Sequence, residues 1–138
     1  MKSVTRYLLL LVFFLATLPG LSASEEDKTV PSVYYYQFQP GFVTNFQKTK
    51  RGKLGYIRAD IQVQVGSKDD VDTVHIHHGL LRDAILERLF SLNKNQVSSL
   101  EYRESLRDEL KETLGTLMKE EVGRPVINEI LFTQFIYQ

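Results

Sequence analysis

The chain has no cysteine and no net charge among its 138 residues. Without cysteine it has no disulfide, thiolate metal ligand, thiol nucleophile or lipoprotein attachment site, although this absence does not identify the redox compartment. Its 17 basic residues balance 17 acidic ones, whereas domains that bind nucleic acid usually carry a basic excess. We therefore predict that nucleic acid is not a partner. The hydrophobic fraction of 43% and the charged fraction of 25% are ordinary for one globular domain and argue against general disorder.

Catalytic motifs are also missing from the sequence. It contains no Gly-x-Ser-x-Gly nucleophile elbow and no phosphate-binding loop. Asp69, Asp70 and Asp72 lack the glycine and the distal glutamate of a calcium loop, and they are better explained as favourable charges at the start of a helix. We predict a protein that is not an enzyme and that binds no cofactor.

The histidines form one cluster, His75, His77 and His78. On a helix His75 and His78 share a face and His77 points elsewhere, so Asp72 would have to supply a third ligand for a metal. The alternative is that His78 ends an apolar stripe while the other two face solvent. We predict no metal site, and a metal bound by these histidines stays the open alternative.

The N-terminus has the three parts of a secretory signal peptide, with basic residues, an apolar core over residues 7–18 and small residues near 22–24. The core is shorter than the ~20 residues of a spanning helix. We predict cleavage after Ala23 or Ser24, with residues 1–23 as a short uncleaved anchor as the alternative. An acidic spacer over residues 24–32 then precedes a domain over residues 33–138.

Periodicity predicts an α+β fold for this domain, an antiparallel sheet with two amphipathic helices packed on one face. Residues 33–46 read as an extended segment bent at Pro40, and residues 57–65 alternate between apolar and polar side chains as in a half-buried strand. Apolar steps of three and four predict a helix over residues 71–92. Ser98 and Glu101 form a capping box that opens a second helix, whose predicted buried positions are Leu106, Leu110, Leu114 and Leu117.

The last residues predict a strand that we expect to be central in the sheet, since β-branched and aromatic residues fill it to the final position. Both of its faces are apolar, so one face needs a cover other than the helices. The two alternating sets are Val126, Ile130, Phe132 and Ile136 on one face, and Ile127, Leu131, Phe135 and Tyr137 on the other.

Two segments resemble the flagellar basal body-associated protein FliL family. One is the C-terminal pattern Ile-Leu-Phe-Thr-x-Phe-Ile-x-Gln at residues 130–138, and the other is His-Gly-Leu-Leu-Arg-Asp-Ala-Ile-Leu at residues 78–86, where the family typically carries x-Pro-x-Ile-Arg-Asp-x-Ile-Leu. The resemblance implies a stomatin-like periplasmic domain that accompanies flagellar stator and basal-body proteins and self-associates into a ring. Because the apolar segment and the spacer are short, the chain resembles a periplasmic paralogue, with attachment to the inner membrane as the alternative.

Four residues are candidates for interaction: Arg82, Asp83, Lys50 and Arg51. Arg82 and Asp83 match the family's Arg-Asp pair, and they read either as a surface ion pair or as a guanidinium that bridges helix and sheet or joins subunits. Lys50 and Arg51 belong to a basic turn that reads as a solvated hairpin tip or as a contact for anionic lipid or an acidic partner. The alternative function is a free periplasmic binding or chaperone-like module unrelated to motility.

Overall fold

The strand over residues Gly55–Val65, labelled β3, lies at the centre of a four-stranded antiparallel sheet and pairs with each of the other strands. The protein is described by a computed structural model that covers residues 32–46 and 54–138. The strands are β1 (Tyr34–Gln37), β2 (Phe42–Phe46), β3 (Gly55–Val65) and β4 (Ile127–Tyr137). The helices are α1 (Lys68–Ile76), α2 (His78–Phe90), α3 (Lys94–Ser98) and α4 (Leu100–Val122). The predicted α+β class is confirmed.

The alternation of apolar and polar residues in β3 sets which face of the sheet is buried. Its inward side chains are 0% exposed, and they are Ile57, Ala59, Ile61, Val63 and Val65. Helices cover this face, and a fully buried aliphatic side chain contributes about 1.5–3 kcal/mol. The polar side chains between them lie on the opposite, outer face.

The last strand is not central, and this expectation was wrong. β1 and β2 pair one after the other with one edge of β3, while β4 pairs with the opposite edge along its whole length. Within the described residues β4 has no second neighbour, so it is an edge strand. Its apolar composition misled the prediction because hydrophobicity reports burial of a face and not the number of neighbouring strands.

The helical layer packs on the inner face of the sheet through α2 and α4. The buried stripe of α4 consists of Leu106, Leu110, Leu114 and Met118, so Met118 and not the half-buried Leu117 takes the fourth position. Arg88 of α2 donates hydrogen bonds to Glu109 and to the hydroxyl of Tyr102, both on α4. This polar tie fixes the two long helices against each other.

The single helix predicted over residues 71–92 is two helices. α1 ends at Ile76, and a turn at His77 precedes α2. The turn allows α1 to pack against β1 and α2 against β2. Asn93 was expected to end the helix, but it begins α3 by forming a capping box with Gln96. The N-cap of α4 is Ser99 and not Ser98.

A matched pair of isoleucines on β4 tests this assignment of faces. Ile130 is 1% exposed on the inner face, and Ile136 is 42% exposed. We expect Ile130→Ala to lower the free energy of unfolding by about 2–5 kcal/mol because it leaves a cavity. Ile136→Ala should cost less than about 1 kcal/mol. Equal losses in urea unfolding would show that the outer face is covered.

Candidate interaction site

The bend between β1 and β2 lies tightly on β3. Phe38 is 0% exposed, and its N–H donates to the carbonyl of Ile61 over 3.1 Å. The Gln39–Pro40 peptide is cis. A Cβ at position 41 would lie 2.0 Å from Asp60 Oδ1, so a larger residue there would displace the Asp60 side chain.

Arg82 of α2 holds this bend. Its Nη1 donates to the carbonyl of Pro40 over 2.6 Å, and its Nη2 donates to the carbonyl of Gly41 over 3.2 Å. The guanidinium also lies over the Phe42 ring, with Cζ 4.5 Å from the ring centroid. The planar fork of an arginine can reach two carbonyls and an aromatic face together, which the point charge of a lysine cannot do.

The structure describes two of the four predicted interaction residues, Arg82 and Asp83. Arg82 bridges helix and sheet, and it forms no ion pair with Asp83. Asp83 is exposed on α2, and its side chain forms no hydrogen bond with residues 32–46 or 54–138. Lys50 and Arg51 lie outside the described residues. The bridging role of Arg82 is therefore visible, while a direct role in binding a partner stays a prediction for all four.

Two of the three histidines converge on one phenol beside this anchor. Tyr36 Oη lies 2.7 Å from His78 Nδ1 and 3.3 Å from His75 Nδ1. Since the phenol has one proton, it can donate to only one imidazole and must accept from the other. Burial, then the charges of Arg82 and His75, lower the pKa of His78, and burial raises the pKa of Tyr36. The arrangement favours uncharged imidazole at His78.

The structure does not gather the histidines into a metal site. His77 Nδ1 lies 2.9 Å from the carbonyl oxygen of Thr73, whereas the other two histidines contact Tyr36. Among residues 32–46 and 54–138 no three His, Asp or Glu side chains are arranged to hold a metal ion.

A second polar tie joins α1 to the chain that leads into β4. Asp70 is 7% exposed, and its carboxylate accepts a hydrogen bond from Arg124 Nη2 over 2.5 Å. Its backbone N–H donates to the Oγ of Ser67, the N-cap of α1, over 3.1 Å. Burial would raise the pKa of Asp70, but the hydrogen bonds from Arg124 and Ser67 and the charge of Arg124 outweigh it and lower the pKa. Asp70 is therefore charged and paired, as well as part of the helix start that the sequence predicted.

Sequence reasoning missed Tyr36, Phe42 and Arg124. Each is an ordinary residue of a strand or turn whose partner lies far along the chain, 42 positions away for Tyr36 and 54 for Arg124. No local spacing marks such pairs. The one available signal was the Arg82-Asp83 pair, which interrupts an otherwise apolar stretch of the helix.

Comparison with known proteins agrees with the sequence motifs. The fold defines an α+β domain with helices on one face of a β1-β3-β2 sheet to which β4 is added. A model of the family "Flagellar basal body-associated protein FliL" matches residues 35–138, and the chain belongs to this family. The predicted membership is thus confirmed.

A curated relative gives the same family name. Flagellar protein FliL of Aquifex aeolicus (strain VF5) is 27% identical over 103 residues, which cover 75% of this chain and 60% of the relative. The chain therefore spans less than two thirds of that relative's length. In the part of the chain that the structure describes, no helix has the length and apolar character needed to cross a membrane.

The Arg82 anchor generates a stability prediction. Arg82→Ala should lower the free energy of unfolding by about 1–3 kcal/mol, because it removes charged donors from two carbonyls and a cation from an aromatic face. Asp83→Ala, its neighbour, should stay within about 0.5 kcal/mol of wild type. Urea unfolding measures both. Equal stability of the two variants would mean that the contacts of Arg82 contribute nothing to the free energy of unfolding.

The His78 cluster generates a pH prediction. Because the pKa of His78 is lowered in the fold, the unfolded chain takes up this proton at a higher pH than the folded chain. The stability that uncharged His78 contributes to the fold is fully present above the ordinary histidine pKa of about 6.5. It is lost as the pH falls below that value. His78→Phe keeps a ring near Phe38 but cannot be protonated. Between pH 7.5 and 5 the wild type should lose more stability than His78→Phe, and parallel losses would contradict the assignment.

Proposed function

We propose that this protein is a non-catalytic accessory of the flagellar basal body that associates with stator units of the motor and supports motility. The observation that carries the proposal is the match of the FliL family over residues 35–138, which takes in almost the whole described domain. The name of the Aquifex relative supports the same role. We place the protein in the periplasm on the strength of its signal-like N-terminal sequence, with an uncleaved segment at the inner membrane as the alternative.

The outer face of the sheet is the surface that we assign to contacts between copies of the protein. Helices pack on the inner face, and the outer face exposes large apolar side chains from three strands. Their exposed fractions are 51% for Tyr35, 64% for Val43, 37% for Leu131 and 42% for Ile136. Large apolar side chains that are exposed together on one face mark an interaction surface. A second copy is the occupant that fits the ring implied by the family.

The pairing of the strands puts these side chains on one face. Val43 and Ile136 are both register partners of Arg58, and Leu131 is a partner of Gln62. Arg58 and Gln62 have the opposite parity to the buried residues of β3, so they point outward. The apolar groups therefore flank a polar central strand, a composition that suits a contact that can form and dissociate.

Arg82 supports the proposed contact surface from the helical side of the sheet. It donates to the carbonyls of Pro40 and Gly41, and Val43 follows Gly41 by two residues. Loss of the anchor would displace the start of β2 and with it an edge of the proposed contact. Lys50 and Arg51, which follow β2 in the sequence, remain our predicted contacts for an acidic partner or anionic lipid.

Charge placed on the outer face tests the proposal. The double variant Val43→Asp with Leu131→Asp should weaken self-association, measured by sedimentation, and reduce soft-agar spreading of a deletion strain that it complements. Phe90→Asp is the control, since Phe90 is 61% exposed on α2 in the helical layer. It should leave both readouts near wild type.

The outcomes separate the proposal from its alternative. Normal spreading of the deletion strain itself would remove the motility role and favour a free periplasmic binding or chaperone-like module. Reduced spreading of the deletion strain with unchanged association of the double variant would keep the role and move the subunit contact elsewhere. Circular dichroism melting of each variant excludes unfolding as the cause.

A further inference from the structure

The free edge of β4 presents main-chain groups near the end of the strand. Tyr56 and Gln138 exchange both backbone hydrogen bonds over 3.0 Å, so they form a hydrogen-bonded pair of the antiparallel ladder. Such pairs alternate with pairs that make no bond to each other. In the register of β3 and β4 the groups of Ile136 therefore point towards β3, whereas those of Phe135 and Tyr137 point to the free edge.

This stretch of the edge is regular and open. The register shifts at Asn128 and Thr133, and bulges of this kind interrupt an edge against pairing. Residues 134–137 follow the second bulge without a further shift. No strand of the described residues pairs with them on the free side. The segment is long enough for a short extended peptide to add main-chain hydrogen bonds.

A cation without a carboxylate partner lies beside the same stretch. Arg103 of α4 is half-buried, and its Cζ lies 4.6 Å from the centroid of the Phe135 ring. Its side chain forms no hydrogen bond or ion pair with residues 32–46 or 54–138, and its Nε is buried without an acceptor there. The next cations along this side of α4 have carboxylate partners, Arg107 with Glu104 over 2.7 Å and Lys111 with Glu129 over 2.6 Å. The Nε of Arg107 is also buried without an acceptor in the described residues, but its Nη2 is paired.

We propose that the free edge of β4 at Phe135 and Tyr137, together with Arg103, binds an extended acidic segment of a partner protein. The outward N–H and C=O groups would pair with the segment as an added strand. A carboxylate on its helix-facing side would meet Arg103, whose planar fork suits bidentate binding of a carboxylate. Charge complementarity selects an acidic segment over an apolar one. The proposal does not depend on the flagellar assignment.

Blocked eight-residue peptides test the proposal with the full chain. One peptide alternates Glu with Val and carries a fluorophore, and its matched control has Gln for every Glu. Fluorescence anisotropy should show the acidic peptide binding about tenfold more tightly than the control. Arg103→Gln, which retains packing over Phe135, should remove this difference and leave binding of the Gln peptide unchanged. Lys119→Ala removes an exposed positive charge about four turns further along α4 and should change neither affinity.

Amide hydrogen exchange tests whether the peptide pairs with the free edge of β4. On addition of the acidic peptide the amides of Phe135 and Tyr137 should become protected, because added strand pairing occupies them. Tyr137→Pro removes an outward N–H without taking a bond from β3, so it should weaken both peptides equally. Its melting curve shows that it folds.

Four results would overturn the proposal. Equal affinity of the two peptides, or an unchanged difference in Arg103→Gln, would remove the role of charge. Binding without protection of Phe135 and Tyr137 would remove strand addition. Protection of these amides that rises with protein concentration alone would assign the edge to a second copy of the chain.

Discussion

Strand β3 is the constraint on which the rest of the domain depends, because each of the other strands reaches the sheet only through it. Its inward side chains are fully buried and fix the register of both edges. β1 and β2, with four and five residues, are too short to be stable by themselves. They share one edge of β3 with a bend between them, and Arg82 bonds to that bend from the helical layer. The anchor thus makes the sheet and the helices depend on each other.

This architecture leaves the domain unequal on its two sides. All helices that pack on the sheet lie on the inner face, so the outer face keeps exposed apolar groups such as Val43 and Leu131. The pairing also leaves one long edge, that of β4, without a neighbour in the described residues. Because the whole chain carries no net charge, long-range attraction gives little specificity, and recognition must rest on local groups. The open face and the open edge are where such groups occur.

Many of the buried positions in β3 and α4 could be predicted, because the spacing of apolar residues in a strand or helix indicates which face is buried. The alternation in residues 57–65 and the leucine steps of α4 each identify a buried face without any knowledge of a partner. The break at His77 could not be predicted, since the apolar steps of three and four continue through it. The position of β4 at the edge was missed for a related reason, as composition does not count neighbours. The partners of Arg82 lie 42 and 41 positions away, beyond any local pattern.

Arg82 and Arg103 each lie over an aromatic ring, but their guanidinium groups have different partners. Arg82 lies over Phe42 and directs its donors to backbone carbonyls of its own chain, so its charge is used in holding the fold. Arg103 lies over Phe135 in a similar way, but no described acceptor takes its donors. Stacking fixes the plane of a guanidinium. It therefore lowers the conformational entropy that the arginine side chain loses when a ligand binds. A guanidinium that is oriented but not satisfied is therefore better suited to recognition than to stability, and its place beside outward main-chain groups couples charge to strand pairing.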